Sequence, residues 1–167
     1  MQNVSILKLL NLIILSSLFF LSLYKISYAE MSSLGVLTGG SYSYAQGASS
    51  DGSVIVGYSG STDGNRAFKY DSTNGMTSLG VLTGGSTSFA NDVNSDGSVI
   101  VGWSHSTDNN RAFKYVDGTM TSLGVLTGGT RSYANDVNSD GSVIVGYSGS
   151  TDGTRAFKYV DGTMTSL

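Results

Sequence analysis

The spacing that most suggests chemistry belongs to acidic and amide side chains at alternate positions. Asp92, Asn94 and Asp96 are followed by Gly97, and the same pattern recurs 44 residues later. Oxygen ligands at alternate positions, followed by a glycine that turns the chain, begin a calcium-binding loop. The twelfth position, where such a loop needs Glu, is Trp103, so the ligand set is unfinished. A hairpin turn explains the motif better, and we predict no metal and no cofactor.

Other groups that could carry catalysis are scarce. The chain has no Cys, which excludes a zinc finger, an iron–sulfur site, a cysteine nucleophile and a disulfide scaffold. His105 is the single histidine, and Gly60 and Gly149 replace it in the sister units, so we interpret it as an exposed loop variant. Glu30 is the only glutamate. The sequence therefore predicts that the protein is not an enzyme.

One unit is written three times along most of the chain. Met31, Met76, Met120 and Met164 each open the same Met-Ser/Thr-Ser-Leu run, so the period is 44 or 45 residues. The second and third copies differ at seven positions. We divide residues 30–167 into units 31–75, 76–119 and 120–163 with a partial unit 164–167. Repeats of this length indicate units that pack on their neighbours.

Each unit is predicted to form four short strands, which the second unit shows at residues 88–94, 98–104, 111–116 and 119–126. Alternation places Phe89, Asn91 and Val93 on one face of the first strand. The second strand has apolar residues on both faces, which indicates cover on both sides. Asp117-Gly118 is a strong hairpin signal, and the extra residue of the first unit falls at the same tip.

Four antiparallel strands in about 44 residues match one blade of a β-propeller, so we expect an all-β, propeller-like fold. Three copies are few for a propeller, and residues 31–37 supply an additional copy of the fourth strand. Three explanations stay open. The chain is a fragment of a longer repeat protein, it completes a ring by self-association, or it forms a threefold barrel of the β-trefoil type.

Residues 1–29 are predicted to be a signal peptide. An apolar run covers residues 9–24, and Ser27 and Ala29 place small residues before a cut at Glu30. An uncleaved membrane anchor is the alternative. Residues 30–167 carry 7 basic and 12 acidic side chains, a net charge of −5 that argues against nucleic acid. We expect a secreted or cell-surface protein, with the periplasm as an alternative, and no membrane contact once the leader is removed.

The repeated motif resembles the HAF-type extracellular repeat family of bacteria. The matching residues are Leu79-Gly80, Gly84-Gly85, Asp96–Gly102, Ala112-Phe113 and the following Met-x-x-Leu, in all three copies. The resemblance implies secretion and a surface role, sometimes within autotransporters, with no enzymatic activity established for the repeat. The chain departs from the His-Ala-Phe of the family name, because Arg66, Arg111 and Arg155 stand where the His would be.

The polar loops 61–65, 106–110 and 150–154 are expected to gather on one rim, each beside an arginine. We predict a contact rim formed by Asp63, Arg66, Asp108, Arg111, Asp152 and Arg155. The aromatic residues form three sets, Tyr44/Phe89/Tyr133, Tyr58/Trp103/Tyr147 and Tyr70/Tyr115/Tyr159. Their spacing favours packing between blades, and exposure would suit sugar rings. The predicted function is a structural or adhesive surface module that contacts an extracellular protein or glycan, with a carbohydrate-binding propeller or trefoil as the alternative.

Overall fold

The computed structural model describes residues 30–167, and the predicted signal peptide lies outside them. Residues 34–167 form one compact unit, and residues 30–33 have no regular secondary structure. The compact unit is all-β, as predicted, with three separate four-stranded antiparallel sheets whose strands follow chain order. Each sheet takes its first three strands from one repeat unit and its fourth strand from the start of the next, and is called a blade here. Because the sheets are separate, the threefold barrel of the trefoil alternative is not formed.

The first blade contains β1 (Ser43–Ala48), β2 (Ile55–Ser59), β3 (Arg66–Asp71) and β4 (Gly75–Gly80). The second contains β5 (Ser88–Val93), β6 (Ile100–Ser106), β7 (Asn109–Val116) and β8 (Thr119–Gly124). The third contains β9 (Ser132–Val137), β10 (Ile144–Ser150), β11 (Gly153–Val160) and β12 (Thr163–Ser166). Residues 31–37, expected to form an additional strand, form none, so that prediction was wrong.

The two Asp-Gly tips form tight hairpins between the third and fourth strands of the second and third blades, as the sequence predicted. Asp117 and Gly118 have φ angles of 49° and 80°, both in the left-handed region that a two-residue hairpin turn needs. Val116 pairs directly with Thr119 across this turn. In the first blade Asp71 pairs with Gly75, so the additional residue is accommodated in a longer tip. A surface hairpin tip accepts such an insertion without disturbing the paired strands.

A β-bulge in the first strand of each blade changes which residues face the core. In the second blade the register shifts between Ala90 and Asp92, leaving Asn91 as the additional residue. Val93 is consequently buried in the same core as Ala90, whereas Phe89 is half-buried outside that core. The predicted shared face of Phe89, Asn91 and Val93 is therefore wrong, because simple alternation does not survive a bulge.

The glycine of the neighbouring strand explains how the bulge is accommodated. A Cβ atom at Gly102 would overlap the carbonyl oxygen of Phe89, which the bulge brings close to β6. A Cβ atom at Gly57 would likewise overlap the carbonyl oxygen of Tyr44, and one at Gly146 the carbonyl oxygen of Tyr133. Only glycine permits so close a backbone approach, so the bulge and the glycine form one repeated feature.

The hydrophobic cores lie between blades. One joins the first and second blades and includes Val56, Ala67, Ile100 and Phe113. The other joins the second and third blades and includes Val101 and, one blade later, the counterparts of Ile100 and Phe113. Strand β6 contributes Ile100 to one core and Val101 to the other, which confirms the predicted cover on both faces. Within residues 30–167, no helix has the length and apolarity needed to cross a membrane.

Candidate functional site

Each blade carries an equivalent polar cleft that contains two of the predicted rim residues. The cleft of the second blade has a volume of about 370 Å³ and is lined by Asp108 and Arg111 together with Thr83, Thr107 and Met120. The corresponding clefts of the first and third blades measure about 310 and 320 Å³ and contain, respectively, Asp63 with Arg66 and Asp152 with Arg155. The structure therefore places the six predicted residues in pairs, one pair in each cleft.

The cleft forms where the segment entering a blade lies against the turn between its second and third strands. A backbone hydrogen bond ties the two, from Thr107 to Thr83 at 3.2 Å in the second blade. Gly84, with φ of 71°, turns the entering segment, and a Cβ atom there would overlap the Thr107 side chain. The turn itself is shorter than predicted, because β6 extends to Ser106 and β7 begins at Asn109.

The arginine and the aspartate of a cleft do not form an ion pair. Arg111 Nη1 donates to the Thr130 carbonyl oxygen of the third blade at 2.6 Å, and Arg66 Nη1 donates to the Ser86 carbonyl oxygen at 2.6 Å. Among the residues that the structure describes, the single ion pair joins Lys69 and Asp71 at 3.9 Å. Arg66 and Arg111 therefore link neighbouring blades, and the aspartates of the three clefts are exposed.

The Asp-x-Asn-x-Asp-Gly motif forms a turn, in agreement with the prediction. The Asp96 carboxylate accepts the Ser98 N–H at 2.9 Å, and Asn94 Oδ1 accepts the Val99 N–H at 2.9 Å. Hydrogen bonds from Ser98 lower the pKa of Asp96. Across residues 30–167, no three His, Cys, Asp or Glu side chains come together in a metal-binding group.

His105 is not the exposed loop residue that the sequence predicted. It lies in β6, half-buried and opposite Asn110. Its Nδ1 atom is buried and has no hydrogen-bond partner in the described part of the chain. The two-residue turn after β6 accounts for the difference, because it leaves His105 inside the paired region of the sheet.

The aromatic residues of the first two sets, together with Tyr42, which the sequence analysis placed in no set, form one continuous stack across the three blades, called the aromatic ladder here. Neighbouring ring centroids are between 4.4 and 5.9 Å apart. In chain order along the stack its members are Tyr42, Tyr44, Tyr58, Phe89, Trp103, Tyr133 and Tyr147. Rings within a blade face each other across paired strands, as Phe89 and Trp103 do. Rings of adjacent blades then meet at the junctions, as Trp103 and Tyr133 do.

The aromatic ladder combines the two roles that the sequence left as alternatives. Its rings pack blade against blade, yet Tyr42, Tyr44 and Tyr147 are 42, 53 and 41% exposed. The third aromatic set differs, because Tyr115 and Tyr159 pack against the two cores. Aromatic rings with one open edge offer an apolar surface that a partner can contact without disturbing the fold.

Two carboxylates meet where the first strands of the second and third blades approach each other. Burial and a hydrogen bond with Asp136 raise the pKa of Asp92. Asp92 also accepts the Val137 N–H at 3.0 Å, and neighbouring Asn91 donates to the Ala134 carbonyl oxygen at 2.7 Å. The group therefore acts as a polar connection between blades.

Sequence reasoning missed a set of fully buried serines that hold the segment entering each blade against its second strand. Ser104 Oγ accepts the Leu82 N–H at 3.0 Å and donates to carbonyl oxygens of Thr87 and His105. Ser59 and Ser148 hold the same place in the other blades. Because serine is common in this chain, its recurrence once per unit on a strand was the only available signal.

The fold has solved counterparts. No protein-family model and no curated protein sequence matches the chain. TolB from Acinetobacter baumannii is similar with a TM-score of 0.56 at 15% identity, over 72% of this chain and 31% of that protein. A putative TolB from Agrobacterium tumefaciens gives 0.56 at 17% identity, over 77% and 50%. The chain thus spans half or less of these proteins. Their likeness establishes that its three sheets are blades of the β-propeller type.

Proposed function

We propose that the chain is an exported, non-enzymatic β-propeller module that adheres to an extracellular protein or glycan. The observation that carries the proposal is the threefold recurrence of one polar cleft, each with an exposed aspartate beside threonine and serine hydroxyls. Three equivalent weak sites on one chain bind a repetitive surface by avidity. Export rests on the leader-like composition of residues 1–29.

The lining of the clefts suits adhesion better than catalysis. A catalytic site needs a nucleophile with a base and an orienting partner beside it. The cleft of the second blade offers hydroxyl groups, one carboxylate and an arginine already engaged with the third blade. Such groups recognise hydroxyl and amide groups of a partner by hydrogen bonding.

Paired substitutions test the role of the clefts. Asp108→Asn with Asp152→Asn removes two cleft charges, and Asp117→Asn with Asp161→Asn removes two charges at the hairpin tips. Binding to a glycan array and to plates coated with extracellular-matrix proteins is measured for both double variants. We expect the cleft variant to lose binding at least tenfold and the hairpin variant to retain it. Equal binding by both variants would reject the clefts as the contact site.

Carbohydrate binding along the aromatic ladder is the second candidate, and the open edges of its rings favour it. Trp103→Leu removes the largest ring, whereas Trp103→Tyr introduces the residue found at the equivalent positions of both sister blades. Calorimetry with an oligosaccharide selected on the array should show about a two- to tenfold loss of affinity for the first variant, because one aromatic contact contributes about 0.5–1.5 kcal/mol. Unchanged affinity in a folded Trp103→Leu variant would exclude Trp103 as the sugar contact.

A further inference from the structure

The third blade presents to solvent a sheet face that the second blade buries. In the second blade Ala112 is completely buried against the third blade, and Leu123 is 6% exposed. Their counterparts one unit later are Ala156, which is exposed, and Leu167, which is 74% exposed. Residues of the same type that form a core at one junction therefore lie open at the next position.

The first blade carries the matching surface. Ala45 and Ala48 of β1 are exposed, whereas their counterparts in β5, Ala90 and Val93, are buried in the core between the first two blades. Phe68, the counterpart of Phe113, is already buried in the single chain, so the open part of this face lies at β1. The first strand of the first blade thus has the composition of a junction strand and a more accessible position.

A series of cross-blade hydrogen bonds has one unmatched member at each surface. The backbone N–H of the alanine in each third strand donates to a buried serine of the next blade at 2.9 Å, from Ala67 to Ser88 and from Ala112 to Ser132. The next alanine in the series is Ala156, and within residues 30–167 no serine side chain accepts its N–H. Ser43 of the first blade is the counterpart of the accepting serines and has no donor alanine in that range.

Two further series stop at the same place. Backbone N–H groups of the inner turns donate to the next blade, from Ser50 to Ser95 at 3.0 Å and from Ser95 to Ser139 at 3.1 Å. The cleft arginines reach carbonyl oxygens of the next blade, as Arg111 does at Thr130. Arg155, in the third blade, donates to the adjacent carbonyl of Thr154 at 3.1 Å. Three kinds of contact thus agree on where a further blade belongs.

The aromatic ladder ends on these two surfaces. At each junction the ring of a second strand meets the ring of the following first strand, from Tyr58 to Phe89 at 4.8 Å and from Trp103 to Tyr133 at 5.4 Å. Tyr147 is the next second-strand ring. Tyr44 is the first-strand ring with no preceding blade among the described residues, and Tyr42 lies beside it at 5.9 Å. Tyr147 and Tyr44 are both exposed, which aromatic rings at a completed junction are not.

We propose that a second copy of this chain occupies the open face of the third blade. The third blade of one copy packs on the first blade of the other, and the reverse contact closes the ring. Ala156 N–H then donates to Ser43 Oγ of the other copy, Ser139 N–H to the Ser50 carbonyl oxygen, and Tyr147 continues the aromatic ladder at Tyr42 and Tyr44. The occupant is a copy of this chain because both surfaces repeat the chemistry of junctions that the chain already makes with itself.

The three blades of the described residues suit a ring of two copies. Propellers contain typically about four to eight blades, and six is the only multiple of three in that range. Two copies of three blades therefore close one ring. A head-to-tail contact produces a closed ring when its rotation closes and a filament when it does not, so the assembly has a defined size only in the first case.

A cysteine pair tests the contact directly, because the chain has no cysteine of its own. The full 167-residue chain with Ala156→Cys and Ser43→Cys is oxidised and run without reductant. A donor N and acceptor Oγ at 2.9 Å, as at the existing junctions, place the Cα atoms within the range that a disulfide spans. Ala112→Cys with Ser132→Cys is the positive control within one chain, and Ala156→Cys with Thr73→Cys is the negative control.

We expect the test pair to run as a covalent dimer and the positive control as a cross-linked single chain. A test pair that stays monomeric while the positive control cross-links would overturn the proposal, as would an open-ended series of polymers. Sedimentation of the unmodified chain at micromolar concentration should give twice the chain mass. Ala156→Arg should halve that mass and leave the circular dichroism spectrum unchanged. The matched surface variant Thr73→Arg should keep both the mass and the spectrum of the unmodified chain. A monomeric unmodified chain would also refute the contact.

Discussion

Replacing one buried serine measures how strongly the segment that enters a blade is held against the second strand of that blade. In Ser104→Ala the buried N–H of Leu82 loses its acceptor at 3.0 Å. The carbonyl oxygen of Thr87 keeps a second donor, the N–H of His105 at 2.9 Å, so the N–H of Leu82 dominates the cost. A buried donor without a partner costs about 1–3 kcal/mol, and we expect a loss near the middle of that range. The melting temperature should fall by roughly 5–10 °C.

Urea unfolding followed by circular dichroism provides the free energy of unfolding, provided that the urea dependence is the same in variant and parent. Ser72→Ala, at an exposed hairpin tip, is the control and should change stability by less than about 0.5 kcal/mol. Ser59→Ala and Ser148→Ala test generality, because both serines accept from a leucine N–H at 3.0 Å. A loss below about 0.5 kcal/mol for Ser104→Ala would refute the argument, since it would show that water replaces the hydroxyl group.

Three other perturbations follow from the same geometry. The raised pKa of Asp92 means that its stabilising contribution is present below pH 3.8 and is lost as the pH rises through the folded-state value. Asp92→Asn should therefore raise the melting temperature at pH 7, because it relieves repulsion with Asp136. Below pH 3.8 the melting temperature should change little, and a pH series of thermal melts checks both expectations. Gly102→Ala should lower the free energy of unfolding by about 3 kcal/mol or more, because the added Cβ overlaps backbone atoms. Gly118→Ala should lower it by about 1 kcal/mol, because Gly118 lies in open space and only its left-handed φ of 80° is strained. Denaturant unfolding distinguishes the two variants. The pKa of Asp51 is lowered to about 2 by hydrogen bonds from its own turn, so its contribution is present above pH 3.8 and disappears as the pH falls towards 2; a carboxyl titration by NMR that returned an ordinary value would contradict the turn geometry.

The sequence predicted the strands and hairpins of each blade better than it predicted which residues face the core. Near-identical repeats with Asp-Gly tips define hairpins directly, because a turn of that kind needs residues that accept positive φ. The bulge at Asn91 was invisible to alternation, because one additional residue reverses the facing of everything after it. Gly102 carried the missing information, because each of the three bulges needs a residue without a Cβ atom on the neighbouring strand.

The candidate sites divide in the same way. Loop position alone placed each aspartate beside an arginine, and the structure puts Asp108 and Arg111 in one cleft. The partner of Arg111 was not predictable, because it is a backbone carbonyl of the following blade. Every residue has such a carbonyl, so residue type does not identify the acceptor. The continuity of the aromatic ladder depends on how blades meet, which spacing within a unit does not specify. Local geometry was therefore accessible and contacts between units were not.

The position of Trp103 has a practical consequence. It is the only tryptophan of the chain and lies between Phe89 and Tyr133, at the junction of the second and third blades. Its fluorescence emission consequently reports on a single seam of the molecule rather than on an average over the chain. If that seam opens before the sheets themselves come apart, emission will shift towards longer wavelength ahead of the loss of strand signal, so the unmodified protein contains its own reporter for separation of neighbouring blades.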